Sequence, residues 1–380
     1  MRVLVLGGDG FCGWPTCLKL AKAGHDVHII DNFSRRKIDE EIFSNSLTNI
    51  ASMSDRLAAA EEFQMPIRCA DIDIAKNYEA FKSYVIAVQP EAIVHFAEQR
   101  SAPYSMVSEK QRRYTVDNNI NTTHNVLNVI VDIVPSCHLI HLGTMGVYGY
   151  SKDFGKIPEG YLNVKVNSTE KDVDILYPTN PGSVYHMTKS LDQIMFQYYN
   201  KNWGLKITDL HQGICWGTQT QETILDKRLI NRFDYDGIYG TVLNRFISQA
   251  ATGNDITVYG IGGQTRAFIH IQDTANCVKL AVENAPSENK VRIFNQVSEV
   301  KNVKQLAEMC AKAYNGKVTY VDNPRKELKE NELEVDNTGL RSLGFEPITL
   351  SKSLVDDIAF IAEQMKDNLD PDNILTSPEW

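Results

Sequence analysis

The sequence lacks the features that mark several large classes of protein. Its 380 residues include seven cysteines with no CxxC pair. We therefore expect neither a disulfide framework nor a zinc or other metal site, but a reducing, cytoplasmic setting. No apolar run approaches the roughly 18 residues of a membrane span, and the first residues do not resemble a signal peptide. A net charge of −9 argues against bulk nucleic-acid binding.

The first half of the chain alternates short apolar runs with helix-length segments. Strands are predicted at 3–6, 27–30, 67–70, 92–96, 139–142 and 206–210, with helices at 14–23, 78–88, 109–133 and 184–202. This alternation predicts a doubly wound parallel α/β sheet covered on both faces. A polar stretch at 150–176 breaks the alternation and predicts an insertion.

The second half has a different texture. Residues 217–240 are polar and are predicted to form a loop or lid. Helices are predicted at 242–251, 273–283, 303–313 and 350–366, and strands at 256–259, 267–269 and 291–294. We therefore divide the chain into a dinucleotide-binding unit, 1–212, and a smaller lobe, 213–380, parts of which return to the main sheet.

Three glycines after the first predicted strand indicate a dinucleotide site. Gly7, Gly10 and Gly13 suit a tight turn, a close approach to a pyrophosphate and a helix packed on a strand. Asp31 ends the next strand, at the spacing of about 20 residues at which a carboxylate accepts both ribose hydroxyls of NAD. The alternative is a glycine turn in an unrelated α/β fold.

Other residues near this loop bear on the choice of cofactor. Arg35 and Arg36 favour the 2′-phosphate of NADP, but Asp31 would repel it, so NAD is predicted. Asp71 and Ile72 follow the third strand and are expected beside the adenine, although an aspartate at a strand end is as often a solvated loop residue.

Tyr185 and Lys189 stand four residues apart on a predicted helix and share one face. A tyrosine with a pKa of about 10 needs a nearby cation to act as a base at neutral pH. The same spacing occurs at Tyr78/Lys82, Tyr148/Lys152 and Tyr161/Lys165. Tyr185 is favoured because its helix follows a strand that ends in the hydroxyl residue Thr144.

These features resemble the extended short-chain dehydrogenase/reductase superfamily. Its members that act on nucleotide sugars show the same order of glycine loop, acidic strand end, Ser/Thr and Tyr-x-x-x-Lys. Segment 262–273, with Arg266, is similar to their C-terminal signature, in which an arginine holds the nucleotide diphosphate.

More specific stretches resemble one family within this group, the UDP-sulfoquinovose synthases. They are 98–106, 143–146, 185–189, 231–236, 243–246, 257–260, 262–266 and 323–325. The resemblance runs from residue 3 to the C-terminal helix. It implies that UDP-glucose and sulfite become UDP-sulfoquinovose and water, with NAD retained. The product's end use, in a sulfolipid headgroup or a sulfonated glycan, stays open.

The implied chemistry assigns roles to several residues. Oxidation at C4 acidifies the C5 hydrogen, water leaves across C5–C6, sulfite adds at C6, and hydride returns to C4. Sugar 4,6-dehydratases carry Asp-Glu after the threonine, where this chain has Met145 and Gly146. His186 is therefore the candidate for the elimination, and the alternative is that it packs beside Tyr185. Plant-like family members have Glu where this chain has Val147.

The resemblance also implies ligand contacts. Arg100 is the candidate for sulfite, with a surface or interface salt bridge as its alternative. Further cofactor contacts are expected at Phe11, Cys12, Asn32, Phe96, Asn118, Asn119, Leu142 and Cys215. Nucleotide-sugar contacts are expected at Gln99, Gln212, Leu243, Asn244, Arg245, Thr257, Val258, Tyr259, Arg266, Arg325 and Glu327.

Two other functions stay open at this stage. A UDP-hexose 4-epimerase would share the redox step of Tyr185 and Lys189 and stop there. A non-catalytic regulator that binds NAD or a UDP-sugar commonly loses the tyrosine or the lysine, and this chain has both. The resemblance implies a homodimer or a higher homo-oligomer, formed through helices 109–133 and 184–202.

Overall fold

The short apolar runs form the strands of the structure. The computed structural model describes residues 1–149, 155–166, 171–323, 329–370 and 373. In chain order the strands are β1 (Arg2–Leu6), β2 (Asp26–Asp31), β3 (Ile67–Asp71), β4 (Ala92–His95), β5 (His138–Thr144), β6 (Tyr161–Lys165), β7 (Asp172–Leu176), β8 (Ile207–Gln212), β9 (Ile214–Trp216), β10 (Ile256–Tyr259), β11 (Thr265–His270), β12 (Arg292–Gln296), β13 (Glu299–Asn302) and β14 (Val318–Val321).

Seven strands form one parallel sheet in the order β12-β8-β5-β4-β1-β2-β3. The order reverses between β1 and β4, and the carboxyl ends of the strands beside such a reversal are where ligands bind in open α/β sheets. The predicted doubly wound α/β fold is therefore confirmed. Strand β12, from the second half of the chain, closes one edge of this sheet.

Helices cover both faces of the sheet. In chain order they are α1 (Gly13–Lys22), α2 (Ser34–Glu41), α3 (Met53–Glu62), α4 (Tyr78–Val88), α5 (Glu109–Ile133), α6 (Val184–Trp203), α7 (Val242–Thr252), α8 (Ile271–Glu283), α9 (Val303–Ala313), α10 (Thr338–Ser342) and α11 (Leu350–Phe360). Val3 and Val5 point to a core shared with α1, α3 and α8, while Leu4 and Leu6 point to one shared with α4, α5 and α6. Alternation along β1 thus supplies both cores.

A third core lies in the second half of the chain. Trp216, Phe246 and Phe268 pack there with residues of α9 and α11. Residues 217–240 run beside it and are largely buried, including Phe233 and Tyr239, so this polar stretch forms part of the interior. Among the described helices, none combines the length and the hydropathy needed to cross a membrane.

Most element boundaries lie close to the predicted ones, and the exceptions have physical causes. Helices α2 and α3 were not predicted, because α2 is almost entirely charged and α3 depends on its cap, the Ser52 hydroxyl that accepts from the Asp55 N–H. The predicted C-terminal helix ends as an α-helix at Phe360 and continues as a π turn, Ile361–Met365. The described part of the insertion holds the antiparallel hairpin β6–β7.

Candidate active site

A cavity of about 900 Å³ opens at the carboxyl ends of the main-sheet strands. Its wall begins at the glycine loop between β1 and α1, passes Tyr185 and Lys189 on α6, and ends at Arg245 and Tyr259. It is therefore long enough to bring the predicted cofactor, catalytic and nucleotide-sugar residues onto one continuous surface.

The glycine loop is packed so tightly that a side chain is excluded at Gly7 and Gly13. Gly7 has a φ of +82°, and a Cβ there would lie 2.8 Å from the backbone of Phe96. A Cβ on Gly13 would lie 2.1 Å from the Gly7 carbonyl oxygen, whereas one on Gly10 would meet its nearest atom at 3.4 Å. The loop backbone can thus approach a ligand closely.

Asp31 stands at the carboxyl end of β2 and lines the cavity. Its carboxylate accepts the backbone N–H groups of Asp9 and Phe33, both at 2.8 Å, which fixes its orientation. Burial raises the pKa of Asp31 to about 6, so the group is mostly ionised at neutral pH. It is placed to accept the two hydroxyls of a ribose.

The two arginines near Asp31 are both engaged by other carboxylates. Arg36 binds Asp9 through two hydrogen bonds of 2.7 Å and does not line the cavity. Arg35 lines the cavity, but its guanidinium pairs with Asp39 and Asp234. These pairings leave the ribose end with a carboxylate and favour NAD over NADP.

Tyr185 and Lys189 face the cavity from the first two turns of α6, which begins at the Ser183 cap. Burial raises the pKa of Tyr185, while the Lys189 ammonium and the Thr144 hydroxyl lower it. The ammonium donates to the Leu142 carbonyl at 2.7 Å and pairs with Glu98 at 3.0 Å. This is the arrangement a tyrosine base needs, with a fixed cation and a second hydroxyl beside it.

His186 lies next to Tyr185, with their ring centroids 5.2 Å apart. Its Nδ1 lies 3.0 Å from the Ser183 hydroxyl, and burial lowers its pKa to about 4. A Cβ on Gly146 would lie 2.3 Å from the imidazole Nε2. The glycine that replaces the acidic residue of the dehydratases therefore makes room for a neutral imidazole. Val147 is buried in an apolar cluster.

Arg100 belongs to a cluster of charges on one side of the cavity. It pairs with Asp234 at 2.5 Å, and its side chain keeps 34% exposure. Asp234 also binds Arg35 and Arg232, and both of these bind Asp39. Three guanidinium groups thus share two carboxylates, which leaves a positive charge for an anion.

The far end of the cavity carries the predicted nucleotide-sugar residues. Arg245 is buried over the Tyr259 ring, 4.7 Å from its centroid, and its Nε and one terminal nitrogen have no hydrogen-bond partner among the described residues. Arg266 also lines the cavity and binds the Asn331 side chain at 3.1 Å. An anion that reached Arg245 would satisfy groups that are otherwise costly to bury.

Most of the other predicted residues line the same cavity. They are Phe11, Cys12, Asn32, Ile72, Phe96, Gln99, Asn118, Leu142, Met145, Gln212, Cys215 and Thr257.

Several predicted residues lie away from the cavity wall. Asn119 is buried behind it, where its amide holds the Gln99 backbone, and Asp71 is exposed at the end of β3. Leu243 and Val258 belong to the third core, and Asn244 donates to the Asp234 carbonyl. Arg325 and Glu327 lie outside the described residues.

The other tyrosine–lysine pairs have structural surroundings. Tyr78 lies on α4, away from the cavity, with the Lys82 ammonium 5.9 Å from its ring centroid. Tyr161 lies on β6 of the hairpin, and the Lys290 ammonium lies 3.8 Å from its ring centroid. Tyr148 is buried, and its hydroxyl donates a hydrogen bond to the Asn295 side-chain oxygen at 2.9 Å. Its lysine partner, Lys152, lies outside the described residues. Of the four tyrosines, Tyr185 is the one on the cavity wall.

Sequence reasoning missed residues that lie beneath Lys189. Glu98, His141 and Asp209 come from three different parts of the main sheet and are buried. Glu98 belongs to a stretch that the resemblance singled out, whereas His141 and Asp209 sit inside strands and carry no local signal.

The chain matches a model of the NAD dependent epimerase/dehydratase family over residues 3–295 and therefore belongs to that family. The chloroplastic UDP-sulfoquinovose synthase of Spinacia oleracea is 41% identical over 388 residues, which cover 100% of this chain and 79% of the relative. The UDP-sulfoquinovose synthase of Sulfolobus acidocaldarius is 40% identical over 374 residues, 96% of this chain and 92% of the relative. Within the larger family, the chain thus belongs with the UDP-sulfoquinovose synthases.

Solved structures agree on the fold. The UDP-glucose 4-epimerase of Thermotoga maritima, solved with UDP-glucose, superposes with a TM-score of 0.68 at 21% identity, over 97% of this chain and 100% of that one. The UDP-glucose 4-epimerase of Bifidobacterium longum, in complex with NAD and UDP, has a TM-score of 0.69 at 19% identity, over 96% of this chain and 99% of that one.

NAD is the cofactor of this family, and the residues of the cavity fit it. The side-chain-free glycine loop, the oriented Asp31 carboxylate and the buried Lys189 are the groups that would hold it.

Proposed function

We propose that the protein is a UDP-sulfoquinovose synthase, which converts UDP-glucose and sulfite into UDP-6-sulfo-6-deoxyglucose and water. The observation that carries this proposal is the combination on one cavity wall of the Tyr185–Lys189 pair with His186 in the space left by Gly146. That combination provides for oxidation at C4 and departs from the acidic pair of the sugar 4,6-dehydratases. The relatives at 40–41% identity support it.

Tyr185 removes the proton of the C4 hydroxyl. Lys189 lowers the pKa of Tyr185 against the effect of burial, and Thr144 shares the substrate oxygen through its own hydroxyl. NAD, when bound, supplies the acceptor for the C4 hydride and returns it at the end, so it is not consumed. Tyr185 gives the proton back to the C4 oxygen in the last step.

His186 is the proposed base for the elimination. The C4 ketone acidifies the C5 hydrogen, and a neutral imidazole accepts the C5 proton and passes it to the C6 hydroxyl, which leaves as water. Its low pKa, caused by burial, keeps His186 neutral and able to accept at neutral pH. The conjugated alkene that results is open to a nucleophile at C6.

Arg100 is the proposed sulfite site. Its exposed side chain lies on the cavity wall, and its cluster carries one guanidinium more than carboxylates. Sulfite held there as hydrogen sulfite forms the new carbon–sulfur bond at C6, and the proton that it brings is delivered to C5. A guanidinium suits both sulfite and the sulfonate product, because it donates paired hydrogen bonds.

Arg245 and Arg266 are the proposed ligands of the UDP diphosphate. The unpaired buried nitrogens of Arg245 support this role. Thr257 and Tyr259 line the adjoining wall, where the uridine would lie.

Incubation of the purified protein with UDP-glucose and sulfite, followed by mass analysis, tests the proposal. We expect a product in which a sulfonate replaces one hydroxyl, and no such product from Tyr185→Phe, which should still bind UDP. If the protein instead forms UDP-galactose without sulfite, it is an epimerase and the proposal is wrong.

We also propose a homodimer formed through α5 and α6. Met187, Leu191, Ile194 and Tyr198 follow one face of α6 and are 38–57% exposed. Four apolar side chains at i, i+4, i+7 and i+11 form a stripe that a second copy would cover.

All seven cysteines are free thiols, which supports a reducing, cytoplasmic setting.

A further inference from the structure

A buried chain of charged side chains lies beneath Lys189 and has no part in the steps described above. Asp209 lies on β8, His141 on β5 and Glu98 just after β4. His141 Nδ1 lies 2.8 Å from Asp209 Oδ1, and its Nε2 lies 3.0 Å both from Glu98 Oε1 and from the Lys189 Nζ. Glu98 in turn pairs with the Lys189 ammonium at 3.0 Å. The four side chains are at most 4% exposed.

The signs of the charges alternate along this chain. Burial and Lys189 both oppose a charge on His141, but Asp209 and Glu98 outweigh them and raise its pKa to about 9. Burial disfavours the anions as well, yet Lys189 and His141 hold the pKa of Glu98, and His211 and His141 hold the pKa of Asp209, well below their usual range. At neutral pH, Asp209 and Glu98 therefore carry negative charges, and His141 and Lys189 carry positive charges. Each ion in such a dry site depends on its neighbours for its charge.

Three other titratable groups pack around these side chains. They are His95 from β4, Asp192 from α6 and, one contact further, His211 on Asp209. Burial lowers the pKa of His95 to about 3, so it is neutral. Burial and the charge of Glu98 raise the pKa of Asp192 well above its usual range. His141 is thus the cation that balances the second carboxylate.

We propose that His141 is a positioning residue for the reaction: as an imidazolium between Asp209 and Glu98, it holds Glu98 against the Lys189 ammonium and keeps the surroundings of Tyr185 positive enough for that phenol to lose its proton. The inference rests on the proposed role of Tyr185 as the base. His141 acts through Glu98 and Lys189 and touches no substrate.

Removing the imidazolium has an effect of definite sign. His141→Gln takes away the positive charge between Asp209 and Glu98, while Asp209 keeps its contact with His211 at 2.9 Å. The net charge beneath Lys189 becomes more negative, which disfavours the phenolate, so the pKa of Tyr185 rises and the ascending limb of the pH–rate profile moves to higher pH, by about one unit. At pH 7 this corresponds to a roughly tenfold lower kcat. The KM for UDP-glucose should change little, because the cavity wall is intact.

His138 provides a matched control. It lies on the same strand, is equally buried and bonds the Thr208 hydroxyl at 2.8 Å, but burial lowers its pKa to about 3, so it carries no charge. His138→Gln should keep the wild-type pH profile. His141→Lys restores a cation between the two carboxylates and should return the ascending limb to its wild-type position.

The test measures kcat, KM and the pH profile of the NAD-loaded enzyme with UDP-glucose and sulfite for these three variants. The inference is overturned if His141→Gln keeps the wild-type profile, or if His141→Lys restores nothing. Nitrogen-15 NMR of histidine-labelled wild-type protein tests it without a variant of altered folding. Both ring nitrogens of His141 should remain protonated at pH 7, and a neutral ring would refute the idea. If Tyr185→Phe remains active, the proposed base itself is wrong, whatever His141 does.

Discussion

Replacing Gly13 by alanine should push helix α1 away from the glycine loop and destabilise the protein. The added Cβ would lie 2.1 Å from the Gly7 carbonyl oxygen and 2.9 Å from the Gly8 Cα, both of them backbone atoms that cannot rotate away. The helix and the loop would have to separate by about 0.9 Å before the closest of these contacts reached 3.0 Å. Trp14, the next residue, is buried and donates its indole N–H to the Leu229 carbonyl at 2.9 Å, so this shift would strain a second contact.

Such overpacking costs about 1–3 kcal/mol, which, at about 2.1 cal/mol/K of unfolding entropy per residue over 380 residues, lowers the melting temperature by roughly 1–4 °C. Thermal unfolding of the NAD-free protein measures this loss. Gly10→Ala is the matched control, because its Cβ would meet the protein at 3.4 Å, an ordinary contact distance. It should leave the NAD-free melting temperature unchanged and reduce the stabilisation that added NAD gives, since the methyl group stands where the pyrophosphate approaches. If Gly13→Ala melts at the wild-type temperature, the steric argument is refuted.

Three further predictions concern ligands and assembly. Arg245→Met should weaken UDP binding about 10- to 100-fold in calorimetry, because the diphosphate loses the buried donors of Arg245. Arg341→Met, at a residue on the exposed surface, should leave UDP binding unchanged. NAD binding to the NAD-free protein should weaken as the pH falls through about 6. Burial raises the pKa of Asp31 to about 6, and only the carboxylate accepts both ribose hydroxyls. Asp31→Asn should bind NAD weakly and without this pH dependence. Ile194→Asp should yield monomers in sedimentation velocity. The control is Ile86→Asp on α4, where the isoleucine is similarly exposed, and this variant should stay dimeric. Dimers from both variants would contradict the proposed interface.

The sequence predicted the parts of the site that depend on local structure. A strand, a glycine turn and a helix follow one another within a few residues, so Gly7, Gly13 and Asp31 could be assigned from their spacing. Tyr185 and Lys189 share a face because a helix places i and i+4 side by side. The regular alternation of apolar runs likewise predicted the sheet, since buried parallel strands require it.

The tertiary structure decided what no spacing encodes. Glu98, His141 and Asp209 meet because β4, β5 and β8 are neighbours in the sheet, although they are far apart in the chain. The same sheet order puts Tyr185, and not the other tyrosines of the Tyr-x-x-x-Lys pairs, on the cavity wall. Sequence by itself thus determined the fold class, and residue spacing predicted the cofactor loop and the tyrosine–lysine pair, because each repeats a local pattern. Which charges balance one another in the dry interior depends on contacts between distant segments, and those arise when the strands pair.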